Sequence, residues 1–135
     1  MKVLFLCTLN AVRSPMAEYI GRKNFPKIEF FSAGVTQGPV DYMAISVMEE
    51  EGIDMSEHEP QSIEQLDESN FDLVVCLAGE AKELTQKFAD NGIEVEFWET
   101  QSPAEAQGSR TMKMFIYRQI RDAIKAKIRQ RFGNS

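Results

Sequence analysis

The sequence predicts an α/β protein in which four parallel strands form one sheet with helices on both faces. Short apolar runs alternate along the chain with segments whose apolar residues recur at helical spacing, a pattern typical of parallel sheets. No repeat or low-complexity stretch interrupts this alternation. With 135 residues, of which 43% are hydrophobic, the chain can bury one sizeable core. We therefore expect residues 1–135 to form a single domain.

The first half of the chain predicts two strands and two helices. Residues 3–7 form an apolar run typical of a buried strand, and the following Ser14 and Pro15 fit the N-cap and first turn of a helix. A second strand is predicted over residues 28–31, and a second helix over residues 41–51.

The second half continues the alternation. A central strand is predicted over residues 71–77, a helix over residues 80–90 and a fourth strand over residues 93–98. A last helix follows, and helical spacing predicts that its buried face consists of Met112, Phe115, Ile116, Ile120, Ala123, Ile124 and Ile128.

Composition and charge exclude several classes of function. A formal net charge of -6 argues against a nucleic-acid partner. The apolar runs are too short to span a bilayer, which argues against a membrane partner, and no secretory signal pattern opens the chain. Cys7 and Cys76 are too few for a disulfide framework. We therefore expect a cytoplasmic protein in which a free cysteine can act as a nucleophile.

The stretch FLCTLNAVRSP places Cys7 and Arg13 on either side of five residues, between the first strand and the first helix. A loop at the carboxyl end of a strand can turn its N–H groups toward an anion at the helix N-terminus. The Cys7 sulfur would then lie beneath a tetrahedral anion, and the Arg13 guanidinium would hold two of its oxygens. The positive field of the loop and the helix N-terminus, together with the Ser14 hydroxyl, favours the thiolate form of Cys7. The spacing thus predicts a phosphate-binding loop in which Cys7 attacks phosphorus and water later hydrolyses the phosphocysteine.

Taken alone, the spacing also allows Cys7 to be a small buried residue and Arg13 a surface charge. The wider context favours the catalytic interpretation. The segment VLFLCTLNAVRSPMAE resembles the N-terminal signature of the low-molecular-weight protein tyrosine phosphatase family and its arsenate-reductase relatives. The similarity continues through FSAGV, GIDMSEH, FDLVVCL and YRQIRDAI, so it covers nearly the whole chain.

The resemblance implies roles for the matching residues. Cys7 matches the nucleophile, Arg13 the phosphate-binding arginine and Ser14 the hydroxyl that stabilises the thiolate, while Asn10 matches the asparagine that holds the loop in shape. The implied anion-binding loop consists of Thr8, Leu9, Asn10, Ala11, Val12, Arg13 and Ser14. The implied substrate is a phosphotyrosine protein or a small aryl phosphate. Phosphate, arsenate or sulfate would bind at the same site, and no cofactor or metal is implied.

Several positions depart from the family pattern. Leu9 stands where glycine is usual, which predicts a bulkier and more apolar rim. Val12 stands where many members have a second cysteine, so Cys7 lacks a neighbouring disulfide partner. Ser102, in FWETQSPAEAQGSR, stands where the family has the aspartate that protonates the leaving oxygen. A serine hydroxyl is far too weak an acid for that step at neutral pH.

Five other side chains have both a structural and a functional interpretation. Glu99 and Glu105 share the loop of Ser102 and could replace the missing acid, although loop carboxylates are usually only solvated. Cys76, within the third strand, is better interpreted as a buried core thiol. The lone His58 is better interpreted as a capping or surface residue. Trp98 is better interpreted as a residue that packs at a strand end than as one that lines the pocket.

Two functions of different classes follow from these residues. The first is hydrolysis of phosphotyrosine or aryl phosphates through a phosphocysteine. This hydrolysis would be impaired because Ser102 replaces the general-acid aspartate. The second is a degenerate module that binds a phosphorylated partner or a free oxyanion. Arsenate reduction is a weaker third, because thiol-cascade reductases need further cysteines after the third strand.

Overall fold

The computed structural model describes residues 1–66 and 70–133 and contains one sheet of four parallel strands. The strands are β1 (Lys2–Cys7), β2 (Glu29–Gly34), β3 (Leu73–Cys76) and β4 (Glu94–Phe97). Their order across the sheet is β2-β1-β3-β4, so β1 and β3 are the two central strands. The predicted α/β class and the predicted four-stranded parallel sheet are confirmed.

The described ranges also contain four α-helices and three short 3₁₀ segments, of which one helix and one 3₁₀ segment follow the last strand. The helices are α1 (Arg13–Asn24), α2 (Tyr42–Glu49), α3 (Thr85–Asp90) and α4 (Arg110–Phe132). The 3₁₀ segments are Ile63–Gln65, Gly79–Leu84 and Pro103–Glu105. In this part of the chain no helix has the length and apolar character needed to cross a membrane.

The two faces of the sheet carry separate apolar cores. Val3, Phe5 and Cys7 of β1 point into the core formed with α1, α2 and α4, whereas Leu4 and Leu6 point into the core formed with α3. This division follows from the pleat, because successive side chains of a strand point to opposite faces. Helices therefore cover both faces, as the sequence predicts.

Two predicted helix starts are wrong. Helix α1 begins at Arg13, with Val12 as its N-cap residue, so Ser14 lies inside the helix and does not cap it. The helix predicted over residues 80–90 is α-helical only from Thr85. Its first part is the 3₁₀ segment that follows Ala78, whose methyl group cannot cap a helix.

The predicted apolar face of α4 is wrong at Met112, Phe115 and Ala123, all of which are exposed. Met112 is 59% exposed and Phe115 57% exposed, whereas Tyr117 and Arg121 are buried. The polar ends of these two buried residues are satisfied, because the Tyr117 hydroxyl donates to Asp41 and the Arg121 guanidinium donates to the Val47 carbonyl and to Glu50. Burial of amphipathic side chains with satisfied polar ends is not visible in an apolar periodicity.

Candidate active site

The Cys7 thiol lies at the end of β1 in contact with the Ser14 hydroxyl. Cys7 is 2% exposed, and its sulfur is 2.9 Å from Ser14 Oγ and 3.4 Å from the Ser14 backbone nitrogen. Asn10 Nδ2 donates to Ser14 Oγ at 2.8 Å. Because this oxygen accepts from Asn10, its own proton is free to point to the Cys7 sulfur or, at 3.4 Å, to the Ala33 carbonyl. Ser14 is therefore placed to donate to a thiolate.

Asn10 holds the loop after β1 in a left-handed turn. Its φ is 56°, in the left-handed region that asparagine adopts more readily than most other residues with a side chain. The Asn10 side-chain oxygen accepts from the Gln61 backbone N–H at 3.0 Å, and its carbonyl oxygen accepts from His58 Nε2 at 2.9 Å. His58 therefore braces the loop, a role that differs from the predicted capping or surface role. Residues some fifty positions away thus fix the loop conformation.

The backbone of the loop packs closely against the segment after β2. A Cβ at Gly34 would lie 2.8 Å from the Asn10 nitrogen, and a Cβ at Gly38 would lie 2.7 Å from Leu9 Cβ. Gly38 also donates its backbone N–H to the Leu9 carbonyl at 2.9 Å. Glycine at both positions is therefore required by contact rather than by φ. The Leu9 side chain is 43% exposed at the rim, and Gly38 leaves space for it.

A buried polar network lies behind the loop. Gln61 donates to the Ser32 carbonyl at 2.9 Å, and the Ser32 hydroxyl donates to Glu18 at 2.5 Å. Arg22 forms an ion pair with the same carboxylate. Burial raises the pKa of Glu18, against the opposing effects of Ser32 and Arg22. Glu18 is thus a titratable group connected through Ser32 to Gln61, which braces Asn10.

Arg13 lies between two cavities. Its Nη2 donates to Thr8 Oγ1 at 3.3 Å and its Nη1 to the Thr100 carbonyl at 3.5 Å. A cavity of about 400 Å³ is lined by residues of the loop, among them Cys7, Thr8, Leu9, Ala11, Val12 and Arg13. A wider cavity of about 990 Å³ opens on the other side of Arg13 toward β3 and β4.

The acidic candidates divide between these cavities. Ser102 lines both, and its Oγ accepts from the Ala104 N–H at 3.2 Å, so it caps the 3₁₀ segment that follows. Glu99 and Glu105 line the wider cavity, on the far side of Arg13 from the loop. The structure therefore brings Ser102 to the Cys7 cavity and places the two glutamates beside it.

Three residues of the Cys7 cavity were missed by sequence reasoning. Asp41 caps α2 and accepts from the Tyr117 hydroxyl at 2.7 Å, and both residues line the cavity. Glu80 lines both cavities, and its carboxylate accepts from Thr8 Oγ1 at 3.3 Å. A signal for Glu80 was present, because the loop after β3 must open at the same sheet edge as the loop after β1. No local pattern indicates the Asp41–Tyr117 contact.

The second cysteine does not face the first. Cys76 pairs with Leu6 across β1 and β3 and points with it into the core of the other sheet face, away from Cys7. It is 3% exposed, its thiol donates to the Ala78 carbonyl at 3.1 Å, and burial raises its pKa. Cys76 is a buried thiol, as predicted, and the orientation is unsuited to a disulfide with Cys7.

Trp98 lies directly after β4. Trp98 is 7% exposed and packs against Phe5, with ring centroids 5.7 Å apart, which agrees with a packing role. Across residues 1–66 and 70–133, no group of three or more His, Cys, Asp or Glu side chains is placed to hold a metal ion.

In this chain a Cys-x5-Arg loop follows β1, a central strand of a parallel sheet. These two features together define a class of small phosphatase-like α/β proteins. The model of the low molecular weight phosphotyrosine protein phosphatase family matches residues 2–133, and the chain belongs to that family. The resemblance inferred from the sequence is thereby confirmed.

The proteins that are similar to this chain do not all have the same name. The arsenate reductase of Halalkalibacterium halodurans is 36% identical over 128 residues, which cover 94% of this chain and 91% of the relative. The solved structure of an arsenate reductase in the phosphate binding state is 29% identical, with a TM-score of 0.80 and coverage of 96% of this chain and 94% of that one. Vibrio vulnificus Wzb in complex with benzylphosphonate is 26% identical, with a TM-score of 0.73 and coverage of 96% and 97%.

Proposed function

We propose that the protein is a cytoplasmic phosphomonoesterase that acts on aryl phosphates or phosphotyrosine through a phosphocysteine on Cys7. The observation that carries the proposal is the contact of Cys7 with the buried Ser14 hydroxyl, at 2.9 Å, beside a cavity that Cys7 and Arg13 both line. A thiolate held by a hydroxyl donor beside a guanidinium is suited to attack an anionic phosphoryl group. Membership of a phosphatase family supports the same chemistry.

The reaction has two steps. In the first, the Cys7 sulfur forms a bond to phosphorus while the bond to the leaving oxygen breaks, and Arg13 and the loop N–H groups stabilise the charge on the other oxygens. In the second, water attacks phosphorus, the sulfur–phosphorus bond breaks and the Cys7 thiolate returns. The first step is the one in which a general acid normally protonates the leaving oxygen.

Ser102 occupies the general-acid position in this proposal, and it limits the range of substrates. Its hydroxyl cannot supply a proton at neutral pH, and its oxygen already accepts from Ala104. Leaving groups that depart as stable anions are then cleaved well, whereas tyrosine departs slowly. The proposed substrate class is therefore aryl phosphates, with phosphotyrosine proteins as slow substrates.

The comparison of p-nitrophenyl phosphate with a phosphotyrosine peptide tests the proposal. Positioned proton transfer contributes about 10²- to 10⁴-fold, so kcat/KM should be lower for the peptide by about this factor. Cys7→Ser should abolish both activities, and a quenched reaction should contain phosphocysteine. Binding of phosphate without turnover of either compound would instead indicate the degenerate binding module.

Arsenate reduction is a second candidate, favoured by the names of the relatives. In that reaction an arsenate–Cys7 adduct is attacked by a second thiol, which forms a disulfide with Cys7 while arsenic is reduced and leaves as arsenite. Because Cys76 points to the opposite sheet face, we propose that the second thiol would be external. Reduction supported by glutathione and unchanged in Cys76→Ala would support this route. Rapid formation of a Cys7–Cys76 disulfide would contradict it.

A further inference from the structure

We infer that Glu80 is the general base that takes a proton from the water molecule in hydrolysis of the phosphocysteine. This inference rests on the proposed hydrolase function and assigns a residue to its second step. It explains how turnover is completed when the residue at the general-acid position is Ser102.

The position of Glu80 carries the inference. Glu80 lies in the 3₁₀ segment Gly79–Leu84 directly after β3, the central strand beside β1. Its Oε2 accepts from the Thr8 hydroxyl at 3.3 Å, and that hydroxyl accepts from Arg13 Nη2, also at 3.3 Å. A carboxylate is thereby held at the rim of the loop, one hydroxyl away from the guanidinium that would bind the phosphoryl oxygens.

The other carboxylates near the loop are less suited to this step. Asp41 also lines the Cys7 cavity, but its Oδ1 accepts from Met43 and Ala44 and its Oδ2 accepts from the Tyr117 hydroxyl. Three of the roughly four acceptor positions of Asp41 are therefore occupied, and these bonds fix its carboxylate at the start of α2. Glu80 is an exposed residue and retains acceptor capacity for a water molecule beyond its bonds from Thr8 and from its own backbone N–H.

The charge state of Glu80 selects the step that it can assist. Its own backbone N–H lowers the pKa of the Glu80 carboxyl, and Arg13 and the Thr8 hydroxyl act in the same direction. The group is thus a carboxylate at neutral pH, which can accept a proton but has none to give. In the second step the water oxygen bonds to phosphorus, its proton passes to Glu80 and the sulfur–phosphorus bond breaks. The proton is released to solvent before the next turnover.

Rapid-quench kinetics of Glu80→Gln with p-nitrophenyl phosphate test the inference, because they separate the two steps. Glutamine keeps an acceptor for the Thr8 hydroxyl and removes only the base. The initial burst of nitrophenol should keep its rate within about twofold, while steady-state kcat falls by about 100-fold and phosphocysteine accumulates. Glu83→Gln, which changes an exposed carboxylate in the same segment, is the matched control and should leave both phases unchanged.

Three results would overturn the inference. If the burst and the steady state slow equally, or phosphate binds more weakly, Glu80 only positions Thr8 and Arg13. If Glu80→Gln has no effect, the base lies elsewhere, and Glu99→Gln and Glu105→Gln then test the remaining loop carboxylates. If wild type gives no phosphocysteine at all, the proposed hydrolase function fails together with the inference, so the two failures are distinguishable.

Discussion

Under the proposed function, Ser102→Asp should raise the rate of phosphotyrosine hydrolysis. Ser102 caps the 3₁₀ segment Pro103–Glu105 through its bond from the Ala104 N–H, and aspartate is an equally good N-cap residue. The substitution therefore preserves the local fold. It places a carboxylic acid on the wall shared by the two cavities, beside Arg13 and within the cavity lined by Cys7.

The magnitude follows from the proton transfer that the new group can supply. Positioned general-acid catalysis contributes about 10²- to 10⁴-fold, which corresponds to about 2.7 to 5.5 kcal/mol of transition-state stabilisation at about 1.36 kcal/mol per tenfold. We expect a gain at the low end, about 100-fold, for a phosphotyrosine peptide, because the N-cap bond from the Ala104 N–H favours the carboxylate form of the new side chain over the acid form. For p-nitrophenyl phosphate we expect less than about tenfold, since its leaving group departs as an anion.

The assay measures kcat/KM of both substrates for wild type, Ser102→Asp and Ser102→Asn. Asparagine matches the shape and capping ability of aspartate but has no acidic proton, so it should behave as wild type. Equal gains in the Asp and Asn variants would show that shape rather than proton transfer matters. Rapid phosphotyrosine turnover by wild type that Ser102→Asp does not increase would refute the reasoning about Ser102.

Two further predictions concern Cys7 and Glu18. Inorganic phosphate should protect Cys7 from alkylation by iodoacetamide, because Cys7 lines the cavity beside Arg13. Cys76 should stay unlabelled with and without phosphate, because burial raises the pKa of its thiol, which donates to the Ala78 carbonyl. Mass spectrometry checks this, and equal labelling of Cys7 with and without phosphate would contradict it. Burial raises the pKa of Glu18 above 4.5, so the folded state holds a proton on this carboxyl group that the unfolded chain releases. The free energy of unfolding should therefore fall as pH rises from about 4.5 through the raised pKa. Urea unfolding of Glu18→Gln should show this part of the pH dependence flattened, and an unchanged profile would exclude Glu18 as its source.

The sheet could be predicted from the sequence because the residues of each strand form a recognisable apolar pattern of their own. The apolar run at residues 3–7 covers all of the central strand β1 except Lys2, and the run at residues 71–77 contains the central strand β3. The Cys7–Arg13 spacing pointed to the loop for the same reason, since both residues lie next to a predicted strand or helix. Local patterns therefore suffice wherever one segment determines its own structure.

The remainder of the candidate site depends on contacts between distant segments. His58 and Gln61 bond to Asn10 across 48 and 51 positions, and Glu80 bonds to Thr8 across 72. No periodicity or motif within these residues indicates such partners. The exposure of Met112 is likewise set by where α4 lies against the rest of the fold, which helical spacing does not determine.

The bracing of Asn10 has a consequence for synthesis of the protein on the ribosome. His58 and Gln61, the groups that hold the loop of Cys7 and Arg13, are synthesised some fifty residues after the loop itself. The Thr100 carbonyl that contacts Arg13 follows later still. We therefore expect a nascent chain to carry Cys7 as an exposed thiol, open to cellular oxidants, until these later residues have emerged.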